Sequence, residues 1–109
     1  MKKNYNIAIV GLGQVGIYLY NEIKNKTKEI ENKTGKKINI VAISAKNRNK
    51  KRKFKIDKNI FFTNPLKIFT KKKIDILFEC IGLSDGISKK IVETSLRKKI
   101  NVITPNKAL

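Results

Sequence analysis

Near the start of the chain, Asn6-Ile7-Ala8-Ile9-Val10-Gly11-Leu12-Gly13-Gln14-Val15-Gly16 restricts the possible folds more than any other stretch. A short apolar run stops at Gly11, and a helical pattern begins after Gly13. The three glycines form G-x-G-x-x-G, and each spacing has a physical use. Gly11 allows a sharp turn off a strand. Gly13 has no side chain, so a pyrophosphate can approach the backbone. Gly16 lets the next helix pack closely on the sheet. That helix points its free N–H groups and the positive end of its dipole at the phosphates. The pattern alone is common; a β-type run before it and an amphipathic helix after it make it a dinucleotide site. Gly11, Leu12, Gly13, Gln14, Val15 and Gly16 are its expected residues.

The rest of the chain alternates in the same way. Tyr5 to Val10 reads as a buried strand, and from Gln14 the residues Val15, Leu19 and Ile23 share one helix face. Gly16, Ile17 and Tyr20 border that face. The helix is expected to fray or bend near Asn25 to Thr27 and to stop at Gly35. Lys37 to Ser44 forms a second strand, and the polar residues Lys46 to Lys58 an exposed loop. Asn59 to Thr63 is a short third strand. Asn64-Pro65 has the form of an N-cap followed by proline at the first helical position. Leu66 and Phe69 then bury one side of a short helix. Ile74 to Cys80 is a fourth strand, Gly82 to Gly86 a turn, and Ser88 to Lys98 a helix with Ile87, Ile91, Val92 and Leu96 inward. Asp85 is expected to cap it. Ile100 to Ile103 is the fifth strand. Strands alternating with helices imply right-handed βαβ units and a mostly parallel sheet. The expected fold is α/β: a Rossmann-type, doubly wound sheet of about five strands in one domain over residues 1–109.

The formal charge of +18 on 109 residues attracts polyanions in principle. Only three of the 26 basic residues are arginine (Arg48, Arg52, Arg97), and lysine, asparagine and isoleucine are abundant throughout. Nucleic-acid surfaces favour arginine with interleaved aromatics, so compositional bias explains the charge better than nucleic-acid binding. No apolar run approaches the roughly 18–20 residues of a membrane span. No targeting segment is read in Met1-Lys2-Lys3. The single cysteine, Cys80, fits a cytoplasmic chain without a disulfide framework. With no histidine in the chain, Cys80 lacks the usual base of a thiol nucleophile, and a transition-metal site is disfavoured. Glu79 has two readings, an acceptor for backbone N–H groups or a residue of the cofactor cleft.

The tip of the second strand bears on the cofactor. NAD-binding domains usually place a carboxylate there, on the ribose 2′-hydroxyl. Here the tip is Ser44-Ala45-Lys46-Asn47-Arg48, without an acid. Lys46 and Arg48 suit a 2′-phosphate, with Ser44 as hydroxyl donor. NADP(H) is the expected cofactor, and NAD(H) the alternative.

Four further stretches follow in order: the strand-two tip, Phe61-Phe62-Thr63-Asn64-Pro65, Glu79-Cys80-Ile81-Gly82-Leu83-Ser84-Asp85-Gly86 and Val102-Ile103-Thr104-Pro105-Asn106-Lys107-Ala108-Leu109. Together with the glycine motif they resemble the N-terminal nucleotide-binding domain of homoserine dehydrogenase. That resemblance implies interconversion of L-homoserine and L-aspartate 4-semialdehyde with NAD(P)H, toward threonine and methionine. It implies Gly82 and Ser84 near the nicotinamide ribose, Lys46 at the 2′-phosphate, and Lys107 as a catalytic lysine beside nicotinamide and substrate. The family also has a second domain carrying most substrate-binding residues, another lysine proposed as proton donor, and the dimer interface. The expectation is therefore a fragment, or a chain completed by a partner, inactive alone and homo-oligomeric only at full length. The rivals are a stand-alone NAD(P)-sensing regulatory module and a basic nucleic-acid-binding protein.

Overall fold

The computed structural model describes residues 4–45, 59–81 and 86–104. In chain order the elements are β1 (Asn4–Val10), α1 (Gln14–Thr34), β2 (Lys37–Ser44), β3 (Phe61–Phe62), a 3₁₀ turn (Pro65–Lys67) running into α2 (Ile68–Lys71), β4 (Ile76–Glu79), α3 (Gly86–Arg97) and β5 (Asn101–Ile103). The five strands lie in the order β3-β2-β1-β4-β5, and every pairing is parallel. The chain builds outward from β1 to β3, then returns to build outward on the other side. β1 and β4 are thus the point where strand order reverses, the crevice at which such sheets take ligands.

Burial on both faces follows from strand periodicity. In β1, Ile7 and Ile9 point into a cluster with Leu12, Tyr20, Ile43 and Cys80, which α1 covers through Ile17, Leu19 and Ile23. Ala8 and Val10 point the other way, among Ile68, Leu77, Ile91 and Ile100 beneath α2 and α3. Ile9, Ile43, Ile68, Leu77 and Ile91 are wholly buried, each stabilising the fold by about 1.5–3 kcal/mol relative to exposure. In β2 the pairing register with β1 shifts between Ile7 and Ala8, so Val41 is an extra residue. Ile38 and Ile40 pack on the α1 side, but Val41 and Ala42 both pack on the other and Ile43 returns. A bulge of this kind keeps one strand's apolar residues in two cores.

Several elements differ from the sequence reading. α1 runs unbroken through Asn25–Thr27. Thr27 Oγ1 donates to the Ile23 carbonyl at 2.5 Å, and Lys26–Glu22 and Lys33–Glu29 pair one turn apart. Gly35 stops the helix as expected, at φ 73° with its N–H on the Glu31 carbonyl. Val15, expected inward, is exposed, because Gly16 and Tyr20 take the buried positions. Leu96 is likewise exposed; the buried positions of α3 are Ser88, Ile91 and Ser95. Asn64 caps as expected, its side chain accepting from the Leu66 N–H, but the turn it opens is 3₁₀ before it becomes α-helical. β3 and β4 are shorter at both ends than the apolar runs that contain them. The expected 46–58 loop and the Asp85 cap lie outside the described residues.

Candidate functional site

At the carboxyl end of β1 the backbone turns at Gly11, with φ 97°. Its N–H donates to the Ser44 carbonyl at 2.7 Å, and the Cys80 N–H donates to the Val10 carbonyl at 2.7 Å. The turn is thus clamped between the ends of β2 and β4. A Cβ at Gly11 would stand 2.7 Å from the Cys80 carbonyl carbon and oxygen. At Gly16 a Cβ would stand 1.9 Å from the Gly11 carbonyl oxygen, so the first turn of α1 lies directly on the turn before it. Gly13 is different. It is exposed, and a Cβ there meets none of the described residues within 4 Å.

Gly13 is also the N-cap of α1; having no side chain, it gives the helix start no capping hydrogen bond, and the first turn holds no acid. The opening N–H groups of a helix have no partner within it, and those of α1 lie at the end capped by the exposed Gly13. This suits an anionic group and fits a dinucleotide pyrophosphate. Leu12 contributes backbone to the turn while its side chain belongs to the core; Gln14 and Val15 are exposed. Ser44 is only 2 % exposed, and its visible contribution is the carbonyl that anchors Gly11 rather than an open hydroxyl. Lys46, Arg48, Gly82, Ser84 and Lys107 lie outside the described residues. An open cleft lined by Tyr20, Lys24, Ile38, Asn39 and Ile60 lies between α1 and the early part of β2, and holds none of the expected site residues.

On the far side of the reversal point, Glu79 ends β4 and is wholly buried. It does accept a backbone N–H, that of Ile81 at 2.8 Å. Two hydroxyls also donate to it, and the sequence reading missed both: Thr104 at 2.9 Å and Ser88 at a longer 3.4 Å. Next to it, burial pushes the Cys80 thiol up to about 11, and the Glu79 charge adds to the effect. A raised thiol pKa favours the folded state below pH 9, and that advantage disappears as pH rises through about 11. Cys80 is therefore a buried thiol held in its protonated form at neutral pH. Iodoacetamide at pH 8.5 should modify the folded chain far more slowly than the urea-unfolded one, read by mass spectrometry. Equal rates would contradict this placement.

A glycine turn at the reversal point of a doubly wound parallel sheet defines a nucleotide-binding domain of the Rossmann class. Within that class the chain belongs to the family described as the NAD-binding domain of homoserine dehydrogenase, whose model matches residues 11–109. It is 28 % identical over 107 residues to a homoserine dehydrogenase of Neisseria gonorrhoeae and 26 % identical to one of Bacillus subtilis. Each match spans 98 % of this chain and 24 % of the relative. Among solved structures, homoserine dehydrogenase of S. aureus at pH 6.0 superposes with a TM-score of 0.87 and 31 % identity, over 98 % of this chain and 27 % of that one. The enzyme from Thiobacillus denitrificans, at 24 % identity and TM-score 0.79, shares the fold, over 97 % of this chain and 24 % of that one. The chain thus corresponds to the nicotinamide-cofactor-binding portion of an oxidoreductase family and spans about a quarter of these relatives. None of the relatives named here is a stand-alone sensor, so the regulatory alternative has no support among them. Among the described residues, no helix is long and apolar enough to cross a membrane.

Proposed function

We propose that this chain is the cofactor-binding part of an NADP(H)-dependent homoserine dehydrogenase, acting on L-homoserine and L-aspartate 4-semialdehyde once a substrate domain completes it. The observation that carries this reading is the glycine turn: Gly11 and Gly16 are needed by the packing, whereas Gly13 stands open beside the start of α1. Gly11 to Gly16 would hold the pyrophosphate through backbone N–H groups. The bound nicotinamide supplies or accepts the hydride. The protein's part is to orient it and to stabilise charge on the substrate oxygen. Lys107, three residues beyond Thr104 in the chain, is the lysine assigned to that second task, its ammonium holding the proton for the developing alkoxide. Gly82 and Ser84 are assigned to the nicotinamide ribose. The active form is homo-oligomeric, cytoplasmic and independent of nucleic acid.

The preference for NADP(H) rests on the strand-two tip. The Ser44 carbonyl is bonded to Gly11, so the chain leaves β2 beside the phosphate turn, and the next charged residues in sequence are Lys46 and Arg48. A carboxylate there would repel a 2′-phosphate; a cation pairs with it. The test is a titration of wild type and Lys46→Glu with NADPH and NADH. NADPH affinity should fall by about tenfold or more while NADH affinity holds or rises, as expected for loss of one charge-assisted contact. An unchanged ratio of the two affinities would remove the argument for NADP(H).

A further inference from the structure

Glu79 is the one charged side chain that is wholly buried among the described residues. A carboxylate out of water is costly unless donors surround it. Its donors here come from three separate segments. Oε1 takes the Ile81 N–H at 2.8 Å and faces Ser88 Oγ at 3.4 Å; Oε2 takes Thr104 Oγ1 at 2.9 Å. Ile81 is the exit from β4, Ser88 sits in the first turn of α3, and Thr104 follows β5. Ser88 is itself wholly buried. One side chain thus ties together the carboxyl ends of two neighbouring strands and the helix between them. Among the described residues the β1 side of the crevice shows no such side-chain tie; its turn is held by the backbone bonds of Gly11 to Ser44 and of Cys80 to Val10.

We propose that Glu79 is a positioning residue for the nicotinamide half of the cofactor. It sets the β4, α3 and β5 ends as one rim and does not itself touch the ligand. The proposal rests on the dinucleotide reading above, in which one mononucleotide lies on the β1–β2 side and the other over β4 and β5. Its consequence is selective: losing the tie should cost the whole dinucleotide affinity but leave the adenosine half untouched.

The experiment titrates the chain with NADPH and with 2′-phospho-ADP, which keeps the pyrophosphate but lacks the nicotinamide nucleoside. The variants are Glu79→Ala, Thr104→Val and Glu79→Gln, and Thr104→Val keeps side-chain shape should Glu79→Ala fail to fold. Alanine and valine should each weaken NADPH about tenfold and leave 2′-phospho-ADP within about twofold, the scale of one lost charged hydrogen bond. Glutamine still accepts from Ile81 and can donate to Thr104, so it should restore NADPH binding to within about threefold of wild type. Equal weakening of both ligands, or NADPH binding unchanged in every variant, overturns the positioning role alone. A wild type that binds neither ligand overturns the dinucleotide reading and this proposal with it.

Discussion

Gly16→Ala is expected to cost the chain a large part of its stability. The added methyl would lie 1.9 Å from the Gly11 carbonyl oxygen and 3.0 Å from its carbon. Both atoms are backbone, so no rotamer change relieves the clash. Gly11 itself cannot retreat: it is bonded to Ser44, and its own α-carbon faces the Cys80 carbonyl. Either α1 lifts off, exposing the cluster around Tyr20 and Ile43, or the turn pulls away from β2 and β4. Overpacking of a native core costs about 1–3 kcal/mol. Rigid atoms on both sides place this case at or above the upper limit, against a total of about 5–15 kcal/mol for an ordinary domain. The urea midpoint should fall accordingly, with the slope unchanged. A midpoint equal to wild type would mean that α1 does not start where it is placed here.

How far such features could be read from sequence depends on what a residue type reveals. The limits of β2 and the stop at Gly35 came through intact, because a β-branched apolar run and a glycine after a helical pattern each have one ready interpretation. The register shift at Val41 is not legible, since across the apolar run Ile40-Val41-Ala42-Ile43 either face accepts either residue. Valine looks like core, so the sequence alone puts Val15 on the inward face of α1. The true position at that turn is Gly16, where the need for close approach excludes a side chain. In α3 the buried Ser88 and Ser95 looked like surface. Ser95 satisfies its hydroxyl on the Ile91 carbonyl at 2.8 Å, which makes a small polar residue tolerable inside. The continuity of α1 was hidden as well: a long exposed stretch with few apolar residues is held by paired charges and by Thr27 rather than by burial. At the site, the glycine spacing was legible because the motif is local. The Glu79 tie was not, since its hydroxyl donors stand 9 and 25 residues away.

Gly13→Ala should separate binding from folding. Gly13 has φ −78° and ψ −161°, extended backbone that alanine adopts without strain. No described residue lies within 4 Å of the new methyl. Alanine is a poorer N-cap than glycine, so the stability cost should be about 0.5–1 kcal/mol and no more. The ligand meets a different situation. A pyrophosphate held by the opening N–H groups of α1 has to approach the Gly13 backbone, and the methyl occupies that path. Losing two such contacts to an anion should weaken NADPH binding by about 3 kcal/mol, on the order of 100-fold. The two measurements check each other: a urea midpoint close to wild type excludes unfolding as the cause, and a titration supplies the loss. If the variant binds NADPH as wild type does, the phosphates do not sit over this turn. Gly13 would then be glycine for a reason that neither the packing nor the ligand explains.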